Sequence, residues 1–428
     1  MALGGGIFTT QNKVLPGSYI NFISAANVSA TMGERGYAAL ALSLSWGADD
    51  AIFTVTAEDF RSDCLKIFGF DYASEEAKGL RDLFRNIKTL YAYKLMNGGA
   101  KASNTMGTAK WKGDKGNTIS TEILDGTSSG TFDVNIYFGN KLVYSANVTD
   151  VDQLKAVDNG FVDFTITSLA ATTRETMENG SDGSAVTATE HSAFLDATES
   201  YIFNAIGCLS TEKAIQDLYV QEVKDMRDNV GMKYQIVVFN NAADHEAVVN
   251  VKNSIDAVWW TLGVIAGCAI NKSNTNKVYD GEFEIPTPYT QVQLEAAIKS
   301  GEFVFHQVGH DIRVLRDLNS LTTVTAEKGE DFKANQTIRV LDQIAMDIAT
   351  MFNTKYIGQI PNNASGRVSL WNDITTHHQE LELMGAIENF DPAVVTVQEG
   401  KNRRAVVVED VVQVVNAMEQ LYMTVIVN

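Results

Sequence analysis

Ala257-Val-Trp-Trp-Thr-Leu-Gly-Val-Ile-Ala-Gly-Cys-Ala-Ile270 is the longest apolar stretch of the chain. At roughly 14 residues it is too short to span a bilayer, and Gly263 and Gly267 interrupt it. It is expected as a buried helix whose two glycines, at i and i+4, share one face and allow close backbone approach. Tyr234-Gln-Ile-Val-Val-Phe239 precedes it as a short buried strand. A helix over 290–299, closed by Gly301, and a strand at Phe303-Val-Phe-His306 follow. Strand and helix in alternation predict a mostly parallel sheet covered by helices.

Outward from this core, helices are expected over 191–209, 212–226 and 243–251. Nearer the N-terminus, strands are expected at 38–44, 52–55 and 90–95, with another at 19–23. Thr56-Ala-Glu-Asp59 has the pattern of a capping box opening a helix that runs on through Phe60 to Phe68, and a second helix is expected from 74 to 83. Residues 98–183 change in style. They are rich in Gly, Ser, Thr and Asn and carry short alternating runs such as Thr131-Phe-Asp-Val-Asn-Ile-Tyr-Phe138, the signature of a small β-sandwich or barrel. Past residue 311 a strand and turn lead to a helix over 335–354, marked by Ile338, Leu341, Ile344, Ala345, Ile348 and Phe352. A second helix over 368–383 and two or three strands from 393 onward follow. The expected fold class is a multidomain α/β and α+β protein: an α/β core with an inserted small β-sandwich or barrel domain, an α+β C-terminal domain, and extended N- and C-terminal strand arms. The expected boundaries are 1–22 (N-terminal arm), 23–97 plus 184–300 (α/β middle domain), 98–183 (inserted β-rich domain), 301–411 (C-terminal core) and 412–428 (C-terminal arm).

With 428 residues, 45% of them hydrophobic, the chain has too much apolar material for one core and enough for several domains. The net charge of −19 argues against nucleic acid and against anionic membrane surfaces, both of which need a Lys/Arg footprint. Packed copies of such a chain would repel one another. Cys64, Cys208 and Cys268 lack zinc or redox spacing and are expected as buried small apolar residues in a reducing compartment. The start of the chain lacks the basic and apolar regions of a signal peptide, so a cytoplasmic origin is expected.

Chemistry-bearing motifs are scarce. His306 and His310, with Asp311, have i, i+4 spacing, but the flanking Phe303-Val-Phe indicates a strand, on which they lie too far apart to share a metal. His377 and His378 are adjacent, point apart on a helix, and are expected at the surface or an interface. Gly107 to Gly116 lacks phosphate-loop spacing and is expected as a β-turn region. Asp49-Asp50 and Glu75-Glu76 have no partner that would make them acid and base. No catalytic residue, metal ligand or cofactor is assigned.

The two ends carry a different signal. Leu421, Tyr422, Met423, Thr424, Val425, Ile426 and Val427 form a strand-like run with almost no polar face. Gly4-Gly5-Gly6 leads into a polar and β-branched stretch that includes Ile7, Phe8, Thr9, Val14 and Tyr19. An apolar strand without neighbours is an aggregation site. Gly6, Ile7, Phe8, Thr9, Val14, Tyr19 and residues 421–427 are therefore expected to add strands to neighbouring copies.

Gly263, Ala266, Gly267, Asn271, Lys272, Ser273 and Thr275 match an AG-A-G helix followed by an N-K-S-x-T turn. With this pattern the chain resembles the contractile tail sheath family of phages, phage-like bacteriocins and defective prophages, in its Gram-positive prophage-type branch. Leu15-Pro-Gly-Ser-Tyr-Ile-Asn-Phe22, Trp111-Lys-Gly-Asp-Lys-Gly-Asn-Thr-Ile-Ser120, Arg313-Val-Leu-Arg-Asp-Leu-Asn-Ser-Leu321, Tyr356-Ile-Gly-Gln-Ile-Pro-Asn-Asn363 and Ala417-Met-Glu-Gln-Leu-Tyr-Met-Thr-Val425 resemble the same family in the same order. The resemblance implies a homo-oligomer of stacked hexameric rings around an inner tail tube protein, with baseplate and tail terminator or collar proteins at its ends. It implies no enzyme activity, no cofactor, and no direct contact with nucleic acid or membrane. Flexible linkers near Gly17 and Gly400 would let subunits swing during contraction. Two alternatives stand beside it: an α/β enzyme with an accessory β domain, and another self-assembling tube or shell protein.

Overall fold

The computed structural model describes residues 33–427. It is a mixed α/β, multidomain chain whose residues group into two compact units, one holding 33–39, 79–89 and 199–427, the other 40–78 and 90–198.

The first unit is built on four parallel strands, Ala205–Cys208, Gln235–Phe239, Val248–Val251 and Glu302–Phe303, laid side by side in chain order. Their register places Ile206 beside Ile236, Val237 beside Val249 and Val251 beside Phe303. Parallel strands are covered on both faces, which is why these runs are apolar without alternation. The beginning of strand Tyr37–Ser43 joins the sheet beside Ala205–Cys208, where Tyr37 O accepts the Asn204 N–H at 2.9 Å. Helices Lys213–Asp225 and Ala257–Gly267 are the crossovers.

Helix Ala257–Gly267 is the buried helix expected from its composition. Only Trp259 and Gly267 escape full burial, and the Trp260 indole, fully buried, donates to Asp280 at 2.7 Å. Its glycines lie on backbone: a Cβ at Gly263 would sit 2.8 Å from Leu83 O, and one at Gly267 would collide with Asn86 O.

Three expectations for this core are corrected. Residues 243–251 do not form a helix: Val248–Val251 is a fully buried strand. The helix expected over 191–209 stops at Thr198, and Ala205–Cys208 is another buried strand. Both runs are short, apolar and without alternation, so periodicity alone leaves helix and strand undistinguished. The helix expected from 74 starts only at Lys78 (Lys78–Phe84), after a stretch of turns.

The C-terminal part of this unit packs helix Asn335–Met351 against helix Ala364–Leu383 through Val340, Ile344, Ile348, Leu370, Ile374 and Leu381. Small antiparallel pairs complete it: Phe305–Val308 with Asp311–Val314, Ile387–Glu388 with Gln413–Val414, and Thr396–Glu399 with Val406–Glu409.

In the second unit, Thr89–Leu95 lies between Tyr37–Ser43 and Ile52–Thr56. Thr56 caps helix Ala57–Ser62 with the expected box: its hydroxyl accepts the Asp59 N–H at 3.1 Å while Asp59 accepts the Thr56 N–H at 2.9 Å. The β-rich region has a four-stranded antiparallel sheet, ordered Glu175–Thr176, Ile119–Asp125, Phe132–Phe138, Lys141–Val148, and a three-stranded sheet of Lys101–Ser103, Gly107–Lys112 and Val162–Phe164. One cluster around Trp46, Ile123, Val134, Ile136, Phe161 and Val162 fills the space between them. Cys64, Cys208 and Cys268 are all buried, and none of them forms a disulfide.

Candidate assembly surface

Among the described residues, the contacts that hold the C-terminal segment to the body run as far as Glu419. Val414 pairs with Ile387, and the Val415 N–H donates to Ala386 O at 3.0 Å. The Gln336 side chain then grips the next residues from both sides, donating to Val415 O at 3.0 Å and accepting the Ala417 N–H at 3.0 Å. Thr337 meets the Asn416 side chain at 3.2 Å. Glu419 closes this clasp: one oxygen accepts from the Thr275 hydroxyl at 2.9 Å, the other from Arg316 Nε at 2.6 Å. Thr275 belongs to the turn that follows the buried helix, so that turn fixes where the tail leaves the body.

Beyond the clasp, Leu421–Val427 has no assigned secondary structure, and Leu421, Tyr422, Met423, Val425, Ile426 and Val427 are between 70% and 89% exposed. Contiguous exposed apolar residues mark interaction surfaces or aggregation sites.

Hairpin Thr396–Glu399/Val406–Glu409 offers strand edges. Thr396 faces Glu409, and Glu399 faces Val406. As a two-stranded sheet it leaves an outer edge on each strand without a strand partner among the described residues. Val397, Val406 and Val408 pack its inner face on the core, and the Trp371 indole donates to Val395 O at 3.0 Å, holding its start. Gly400 lies in its turn, where its N–H donates to Ala405 O at 2.8 Å and a Cβ would approach Ala405 at 2.7 Å. Gly6, Ile7, Phe8, Thr9, Val14, Gly17 and Tyr19 lie outside the described residues.

The histidines are placed as follows. His306 is in strand Phe305–Val308 opposite Arg313, and His310 is in the turn beyond it, so the pair does not share a helix face. Among the described residues no three His, Cys, Asp or Glu are grouped as metal ligands. The expectation that His377 and His378 lie at the surface or an interface is wrong: they are 1% and 0% exposed, buried within the subunit. His377 Nε2 is hydrogen-bonded to Asp347 at 3.0 Å, while His378 Nε2 lies 2.9 Å from Asp410 Oδ2 without hydrogen-bond alignment. Both carboxylates come from other elements of the chain, so sequence spacing carried no sign of them.

Family models for phage tail sheath proteins match in chain order: the beta-sandwich domain over 97–182, the central domain over 184–320 and the C-terminal domain over 327–428. The phage-like element PBSX protein XkdK of Bacillus subtilis is 29% identical, the alignment covering 100% of this chain and 100% of the relative. The crystal structure of a sheath tail protein from Desulfitobacterium hafniense is 32% identical, with a TM-score of 0.79 over 95% of this chain and 99% of that one. That of a sheath tail protein from Listeria innocua is 30% identical, with a TM-score of 0.79 over 93% of this chain and 96% of that one. The chain belongs to the phage tail sheath protein family: it is a structural component of a phage tail or phage-like particle, not an enzyme.

Proposed function

We propose that copies of this chain polymerise into stacked hexameric rings around an inner tail tube, forming a contractile sheath that shortens from a metastable extended state and drives the tube through a cell envelope. Residues 1–22 and 412–428 act as arms that add strands to the 301–411 domain of neighbouring copies. Residues 23–97 with 184–300 form the middle domain, and 98–183 is the inserted β domain. Baseplate and terminator or collar proteins bound the sheath, and subunits are made in the bacterial cytoplasm. Gly17 and Gly400 are the proposed hinges.

One observation carries this reading: an apolar tail, clasped at Glu419 and exposed beyond it, on a subunit whose hairpin 396–409 has strand edges without a strand partner among the described residues. Burying six large apolar side chains stabilises by about 1.5–3 kcal/mol each. Fixing seven residues costs about 1–2 kcal/mol each for the backbone, with side-chain ordering on top. The two nearly cancel, so loose adhesion of the tail gains little. Strand addition also recruits main-chain hydrogen bonds, which tips the balance and sets a register. Repeated by a screw operator, such a contact builds an open filament.

The test is a cross-link in polymerised protein. With Val425→Cys and Gln398→Cys in one chain, oxidised polymers should run as disulfide-linked ladders on non-reducing gels, and negative-stain images should show wide hollow cylinders. Cylinders without inter-subunit cross-links, tried also with Val407→Cys on the other strand, would contradict strand addition at this hairpin. Failure to polymerise under any condition would contradict the sheath reading.

A further inference from the structure

Strand Thr396–Glu399 has an outer edge that is open over part of its length and closed at its start. The Gly400 N–H donates to Ala405 O at 2.8 Å, next to the Glu399–Val406 pair. Bonded and non-bonded pairs alternate along an antiparallel ladder. Gln398 therefore bonds Val407 and Thr396 bonds Glu409, while Val395, Val397 and Glu399 turn their N–H and C=O to the outer edge. At Val395 both groups are used: the N–H donates to Pro392 O at 3.3 Å, and the oxygen accepts from the Trp371 indole at 3.0 Å. Those of Val397 and Glu399 have no partner among the described residues.

A groove of about 320 Å³ lies beside this edge, lined by Val397 and by Ala364, Arg367, Val368 and Trp371 from one face of helix Ala364–Leu383. Val368 is apolar yet 58% exposed. The one charge is engaged: Arg367 Nη1 donates to Asn362 Oδ1 at 3.0 Å and lies 3.7 Å from Glu399. A strand added along Val397 and Glu399 would turn alternate side chains to the face that carries Val397, over these walls. The tail matches this chemistry. Residues 421–427 carry no charge, and their six large apolar side chains are 70–89% exposed in the subunit. Seating them on the groove buries apolar surface on both partners and leaves no charge unpaired.

We propose that the Thr396–Glu399 edge, rather than the Val406–Glu409 edge, receives the tail of a neighbouring copy, and that the groove seats the side chains the added strand turns inward. Trp371 is a positioning residue: by occupying Val395 O it ends the ladder there and fixes the register. This rests on the strand-addition reading above and adds to it which edge is used and where pairing stops.

Disulfide mapping in polymers tests it. Cysteine substitutions at each position from 422 to 427 are paired in turn with Gln398→Cys or with Val407→Cys. Ladders should form through Gln398→Cys, with one dominant tail position, and Val407→Cys should give on the order of tenfold less, because the intervening strand holds it about 10 Å from the added one. Trp371→Phe keeps the ring but lacks the N–H. It should raise a second tail position two residues from the first, since a slip of two leaves every side chain on its face. Val368→Asp should unfold with the wild type, as an exposed substitution, yet lower the ladder yield on the order of tenfold by placing a carboxylate under the added strand. Ladders through Val407→Cys and not Gln398→Cys would overturn the proposal and leave strand addition standing. So would a disulfide closed within one chain, a Trp371→Phe pattern identical to wild type, or full ladders from Val368→Asp. If Trp371→Phe does not fold, the choice of edge and Val368→Asp decide alone. A wild-type chain that forms no polymers would overturn this proposal together with the sheath reading.

Discussion

Helix Asn335–Met351 buries Asn335, Gln336, Arg339, Asp342, Gln343 and Asp347, while Leu421–Val427 exposes nearly every apolar side chain it has. Both invert the ordinary distribution of polarity, and they differ in completeness. The polar groups on the helix find partners inside the subunit: Asp342 with Arg227, Arg339 with Asp317 and Lys272 O, Asn335 with Asp317 and Leu318 O, Asp347 with His377. Among the described residues, the tail past Glu419 shows only a contact within itself, Tyr422 hydroxyl to Gln420. One region is finished within a single chain; the other, on the proposed function, is finished by a neighbour. Damage to the first should appear as lost stability, and damage to the second as lost assembly.

The largest stability effect is expected at the bidentate pair Arg227–Asp342, with contacts of 2.7 and 2.8 Å and both side chains buried. Arg227→Ala leaves a buried carboxylate uncompensated and should cost about 3–5 kcal/mol in urea unfolding. A cost under about 1 kcal/mol would mean that water reaches the pair.

An acid limb comes next. Burial holds His245 down at about 4 against an ordinary 6.5, despite Glu246 beside it. Between those values the unfolded chain takes up a proton that the native one refuses. Stability is therefore full above the ordinary value and falls as pH drops toward 4, by at most about 3 kcal/mol. His245→Gln should flatten part of that slope in thermal scans across the range, and an unchanged slope would remove His245 as its source.

Smaller still is the clasp. Glu419→Ala removes a half-exposed pair with Arg316 and should cost under about 1 kcal/mol in stability. It should nevertheless reduce the yield of polymers, because the tail's exit is no longer fixed. A loss of stability matching the loss of polymer would erase the distinction between the two regions.

What could be read in advance divides along the same line. Local signals held: the Thr56 box formed as expected, and Gly263 and Gly267 lie against the Leu83 and Asn86 carbonyls. The apolar run 421–427 was plain from its residues. Elements decided by tertiary surroundings were misread. Val248–Val251 is a strand because Gln235–Phe239 and Glu302–Phe303 flank it, which its four residues cannot announce. His377 and His378 passed for surface or interface groups because Asp347 and Asp410, the carboxylates that lie beside them in the fold, stand about 30 residues away on either side. The Gln336 grip on the tail is likewise a contact between distant segments.

The most direct measurement removes the tail. The variant lacking residues 418–428 should lose no more stability than the under about 1 kcal/mol expected for the Glu419 contacts, because the apolar side chains beyond the clasp are exposed. In negative-stain micrographs at concentrations where the full chain forms hollow cylinders, it should show only separate particles. Cylinders of normal width and abundance from this variant would contradict the claim that neighbouring copies complete one another through these strands.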